Sequence, residues 1–75
     1  MEKPDLDQLQ QNYKTAVDRL VAAIRAEEAL ATANHSETAM EKWDRADFAV
    51  QDTLKQAKEA REHYKDGLRR IHYGI

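Results

Sequence analysis

The central part of this chain contains neither proline nor glycine. Between Asp5 and Asp66, apolar residues recur at helical spacing among charged ones. Because proline and glycine are the residues that most disfavour a helix interior, their absence predicts long helices. The short polar stretch 32–38 interrupts the pattern and indicates a turn between two helices. Two helices alone bury little surface, so the sequence also predicts a core that is completed by another chain.

The first helix is predicted over about 5–33. Asp5 and Gln8 have the spacing of a capping box, and Asp7 suits the positive end of the helix dipole. With Leu6 at heptad position a, the apolar residues occupy positions a, d and e, and only Glu27 breaks the a series. This stripe comprises Leu6, Leu9, Tyr13, Ala16, Val17, Leu20, Ala23, Ile24, Leu30 and Ala31.

The turn is predicted at about 34–37 and the second helix over about 37–66 or to 72. Asn34 with Glu37, or Thr38 with Glu41, could cap this helix. Since the turn lacks glycine, one unbroken helix stays open as an alternative. Gly67 could end the second helix or be tolerated inside it. If it ends the helix, residues 68–75 form a separate tail.

The second helix carries a similar stripe, with Trp43 at position a and interruptions at Asp47 and Arg61. Trp43 and Tyr64 are expected in the core. The stripe comprises Ala39, Met40, Trp43, Ala46, Val50, Leu54, Ala57, Ala60, Tyr64, Leu68 and Ile71. The prediction for residues 1–75 is therefore one all-α domain, an antiparallel two-helix hairpin. Self-complementary faces further predict a homodimer, in which two hairpins form a four-helix bundle.

Composition narrows the class of protein. Charged residues make up 35% of the chain with a formal net charge of -2, which gives no general case for binding nucleic acid or a membrane. Without cysteine there is no disulfide and no thiolate metal site. The polar N-terminus does not have the pattern of a signal peptide. These features predict a soluble protein of the cytoplasm.

Some apolar residues lie off both stripes and predict a second interface. An antiparallel register with the turn near residue 35 places Ala22 at the height of Phe48. Phe48 has little to bury against within a two-helix hairpin. The predicted interface therefore centres on Val21, Ala22, Ala29 and Phe48.

The C-terminal end of the second helix is expected to extend past the first helix. Leu68, Ile71, Tyr73 and Ile75 would then be exposed in a monomer. Ordered contact with a partner and disorder of the tail are both open at this point.

Charge is divided along the chain. From Glu27 to Asp52, seven acidic residues stand against Lys42 and Arg45, whereas bases predominate from Lys55 onward. At the basic end, phosphate contacts are conceivable at Lys58, Lys65, Arg69 and Arg70. The acids interleaved there, Glu59, Glu62 and Asp66, would oppose such contacts.

No motif for catalysis, a cofactor or a metal is present. Glu59 and His63 lie one helical turn apart, but two ligands alone make a weak metal site. The prediction is thus a small non-enzymatic interaction or regulatory protein, of the accessory or inhibitor type common in bacteria and phages. The alternative is a dimeric nucleic-acid-binding protein that uses the basic C-terminal end.

Overall fold

The computed structural model describes residues 5–31 and 36–74. It contains two α-helices, α1 at Leu6–Glu28 and α2 at Glu37–Tyr73, which pack against each other. The molecule measures 56 × 15 × 15 Å. At 1.5 Å per residue, α2 alone accounts for a length of about 55 Å, so α1 lies alongside it. The predicted all-α hairpin is confirmed, and the alternative of one unbroken helix is wrong.

Helix α1 begins as predicted and ends earlier than predicted. The Asp5 side chain accepts a hydrogen bond of 3.1 Å from the backbone N–H of Gln8, but the Gln8 side chain donates to Asn12 instead of returning to Asp5. The helix was expected to reach about residue 33, and it stops at Glu28. Beyond it, Leu30 N–H bonds to Glu27 O and Ala31 N–H to Glu28 O. This tighter three-residue pattern ends the α-helix.

Ser36 caps the start of α2. Its backbone is extended, and its side-chain oxygen accepts a hydrogen bond of 3.2 Å from the N–H of Ala39. Of the predicted capping residues, Thr38 lies inside the helix and so does not cap it, and Asn34 falls outside the described residues. The predicted turn at 34–37 is described only at Ser36 and Glu37.

Gly74, and not Gly67, ends α2. Gly67 lies buried within the helix, which continues to Tyr73, so the separate tail predicted for 68–75 is wrong over its described part. Gly74 has φ 67°, and its N–H bonds to Arg70 O at 3.2 Å. Glycine adopts this left-handed conformation without the strain a side chain would add. Ile75 lies outside the described residues.

The predicted stripes form the contact between the helices, but the core is thin. In the described part of the chain, Ala16 and Ala57 are the only buried apolar side chains, and no large side chain is fully buried. Tyr13 and Tyr64 are half-buried and contact each other across the hairpin. Two helices enclose too little volume to surround a large side chain on every side.

Several residues predicted for the core are exposed instead. Trp43 is 38% exposed and Met40 is 68% exposed, and Ile24, Ala31 and Ile71 are exposed as well. Because α1 ends at Glu28, little helical surface lies opposite the first turns of α2. The assignment of Trp43 to the core is therefore wrong, whereas that of Tyr64 is confirmed in the weaker form of half-burial.

Candidate interaction surfaces

The two helices form an open groove along one side of the hairpin, lined mostly by residues with polar side chains. The part of the groove nearer the middle of the hairpin is lined by Leu9 and Asn12 of α1 and by Gln56, Glu59, Ala60 and His63 of α2. The groove continues towards the open end of the hairpin, where it is lined by Asp5, Gln8, Leu9, His63, Asp66, Gly67 and Arg70. These contacts agree, within about one turn, with the predicted antiparallel register, which places Leu9 beside Arg61.

The residues that line the groove show which flank of each helix faces that side of the hairpin. Asn12, Gln56 and His63 all occupy heptad position g. Because the helices are antiparallel, the g positions of both flank the seam on one side, and the e positions flank it on the other. The e positions include Val17 and Ile24 of α1 and Leu54 of α2. The side opposite the groove is therefore apolar at its centre.

We call this the apolar side and define it by Val17, Val21, Ile24, Met40, Trp43, Val50 and Leu54. Val17, Val21 and Ile24 form one row along α1, and the other four form one row along α2. Val21, Ile24, Met40 and Trp43 are among the exposed large hydrophobic residues of the described chain. Val17, Val50 and Leu54 are half-buried. Apolar side chains contributed by both helices thus meet solvent on one side.

The residues of the predicted second interface do not form one patch. Phe48 is 78% exposed, and Val21, Ala22 and Ala29 are exposed too, as expected. However, Ala22 and Ala29 lie on the back of α1 and Phe48 on the back of α2. Since each helix turns its stripe towards the other, these backs point in opposite directions. Val21 lies with the apolar side, and Phe48 stands apart from it.

The overhang at the open end is shorter than predicted. Leu68 is half-buried and is not left exposed, because α1 and its capping residue Asp5 extend to the level of Gly67 and Arg70. Ile71 is exposed, and Tyr73 is 75% exposed, as predicted. Among the described residues, the part of α2 that has no neighbour in α1 therefore begins at about Ile71.

The four candidate phosphate contacts do not converge on one face. Arg69 forms an ion pair of 2.8 Å with Asp66, and Lys65 lies 4.0 Å from Glu62. Arg70 lines the groove, whereas Lys58 lies towards the apolar side. Lys58 and Lys65 thus share one flank of α2 and Arg70 lies on the other, while Lys65 and Arg69 are close to carboxylates.

The grooves have no enclosed pocket for chemistry. Glu59 and His63 line the same groove, but no group of three potential metal ligands occurs among the residues that the structure describes. Within the same ranges, neither helix is long and apolar enough to cross a membrane.

The fold and surfaces define an antiparallel helical hairpin with an open groove on one side and exposed large hydrophobic residues on the other. Comparisons with protein families, with curated proteins and with solved structures found no match. The apolar side was not identified from the sequence, although part of its signal was there: Val17, Ile24, Met40 and Leu54 are apolar residues at e positions. In an antiparallel pair, these positions flank the seam instead of filling it.

Proposed function

We propose that this chain is a small non-enzymatic interaction or regulatory protein of the cytoplasm that forms a homodimer, as a four-helix bundle. The proposal rests mainly on the thin core: only two alanine side chains are buried among the apolar residues described, while seven large hydrophobic side chains are exposed. Contiguous exposed apolar surface marks sites of association. Association would supply the burial that one hairpin lacks.

The accessible surface supports the same proposal. The hairpin exposes 6176 Å². A compact folded monomer of this mass exposes about 4,700 Å². The excess is of the order of the area that one protein covers on another in a stable complex, about 800 Å² per partner.

Phe48 offers a contact for a second protein. It points away from α1 and stays accessible when two hairpins associate through their apolar sides. Large aromatic residues often dominate the binding energy of an interface. Regulatory action would then consist of occupying a surface on that protein through the exposed face of α2.

Two experiments test the proposal. Sedimentation equilibrium at tens of micromolar protein should give a dimer, and a folded monomer at that concentration would contradict dimerisation. Affinity capture from the native cells should recover a protein that is lost with Phe48→Ser. Glu41→Ser, one heptad earlier on the same face, is the matched control and should keep that protein. Loss with both variants, or with neither, contradicts the role of Phe48.

A further inference from the structure

We propose that a second copy of this chain covers the apolar side in an antiparallel orientation, so that the turn end of one hairpin lies against the open end of the other. The inference rests on the dimer proposed above and adds the face, the orientation and the charge pairs. The occupant is identified by the distribution of charge on that side.

Charges on and beside the apolar side are separated by sign along the hairpin. At heptad positions e and b, the half near the turn carries only acids, namely Glu28, Glu37, Asp44 and Asp47. The half near the open end carries Lys14, Lys58, Arg61 and Lys65, with Asp7 as the one acid. Reversing a second copy brings each acidic half against a basic half, which favours association.

Charged residues on the groove side follow a different order along the hairpin. Near the turn, the groove side carries Lys42 and Arg45. Towards the open end it carries Asp5, Glu59 and Asp66, with Arg19 and Arg70 as exceptions. The separation on the apolar side therefore does not simply follow the charge of the two halves of the chain. It belongs to the face that also has the exposed apolar residues.

A two-fold axis through Val21 pairs the two copies of α1 in a consistent way. Lys14 and Glu28 each lie seven residues from Val21. Across the axis, Lys14 then meets Glu28 of the partner subunit, and Val17 meets Ile24 of the partner subunit. Apolar contacts at the centre are thus flanked on both sides by ion pairs between a lysine of one copy and a glutamate of the other.

The same axis gives matching pairs along α2, where it passes between Val50 and Leu54. Val50 meets Leu54 of the partner subunit, and Asp47 meets Lys58 of the partner subunit. Trp43 lies against Arg61 of the partner subunit, an arrangement that suits a cation–π contact. In one chain, Arg61 lies 3.8 Å from Glu62, with both side chains about half exposed, so this contact is weak and can be exchanged.

The register of the hairpin allows one two-fold axis to pass both Val21 of α1 and the segment of α2 between Val50 and Leu54. One axis can cross both helices only if Val21 lies level with the segment between Val50 and Leu54. The antiparallel register places Val21 beside Ala49, which is within one turn of that segment. A parallel dimer through the same side would instead bring the acidic half of one copy, with Glu28, Asp44 and Asp47, against the acidic half of the other copy, which is unfavourable.

A charge swap tests the pairing. Asp47→Lys and Lys58→Glu should each raise the dimer dissociation constant about tenfold, since each change alters two symmetry-related contacts. The double variant should return it to within about twofold of the wild-type value. Glu41→Lys and Lys55→Glu make the same charge changes at exposed positions that face away from the apolar side, and they should leave the dissociation constant unchanged.

Distances between spin labels test the orientation. Because the chain has no cysteine, Thr38→Cys and Gln51→Cys each give one label per copy. Thr38 lies near the turn, so its two labels should be about 40 Å apart in the antiparallel dimer. Gln51 lies near the axis, so its labels should be within about 20 Å. Thr38 labels closer than Gln51 labels would overturn the inference.

The results of these experiments distinguish a wrong charge pairing from the absence of a dimer. A dimer whose dissociation constant does not respond to changes at Asp47 and Lys58 overturns the charge pairing and leaves dimerisation intact. A double variant that binds more weakly than either single one also overturns the pairing. A monomer at tens of micromolar contradicts the dimer itself.

Discussion

Tyr13 of α1 and Tyr64 of α2 contact each other across the hairpin, with ring centroids 6.5 Å apart and ring planes inclined by 34°. This separation lies within the range of favourable aromatic pairs. The pair lies in the half-buried seam, in which Ala16 and Ala57 are the buried apolar side chains of the described chain. Stability of the single hairpin should therefore depend strongly on these few positions.

Truncation of Tyr64 should destabilise the hairpin. Tyr64→Ala removes the ring contact and part of the buried apolar area, which should lower the free energy of unfolding by about 1.5–3 kcal/mol. Urea denaturation followed by circular dichroism, at one fixed protein concentration, measures the change. Tyr73→Ala is the control, because that side chain is largely exposed, and it should cost less than about 0.5 kcal/mol. Equal losses for both variants would contradict the role of the pair.

Ser36 should contribute to stability as the capping residue of α2. Ser36→Ala removes the acceptor for the Ala39 N–H and should cost about 1 kcal/mol. Ser36→Asp keeps an acceptor at this position and should retain most of the wild-type stability. Thermal unfolding of the two variants compares them directly. If alanine and aspartate had the same effect, capping would not be the cause.

Replacement of Glu27 by an apolar residue should stabilise the hairpin. Its Oε2 is buried and has no hydrogen-bond partner among the residues that the structure describes, which is unfavourable for a carboxylate. Glu27→Leu should raise the free energy of unfolding by about 1–2 kcal/mol. Glu41→Leu, at an exposed position, should change it by less than about 0.5 kcal/mol. A loss of stability in Glu27→Leu would show that the carboxylate has a favourable partner in solution.

The basic end should not bind nucleic acid in a salt-dependent manner. Arg69 is paired with Asp66, Lys65 lies 4.0 Å from Glu62, and Arg70 lies on the other flank of α2 from Lys58. Fluorescence anisotropy with labelled single- and double-stranded DNA and RNA should show no specific affinity at physiological salt. A dissociation constant that rises steeply with salt, and that Arg69→Glu with Arg70→Glu abolishes, would favour the nucleic-acid alternative instead.

The sequence determined most features that depend on neighbours along the chain. Local spacing of apolar residues was sufficient to predict two helices and the central residues of their seam, such as Tyr13, Ala16, Ala57 and Tyr64. The short side chain of Asp5, placed before a helical pattern, was sufficient to predict the first cap. These predictions succeeded because helix formation and capping depend on residues within about one turn of each other.

The tertiary structure decided where helical surface was available for packing. It placed the end of α1 at Glu28, which left Trp43 and Met40 exposed, and it kept Gly67 buried within α2 beside the start of α1. It also placed Phe48 and Ala22 on faces of the hairpin that point in opposite directions. Val21, Ile24 and Leu54 lie together on one side. Heptad spacing by itself shows which residues share a stripe, but the side on which they lie depends on how the second helix is oriented and aligned.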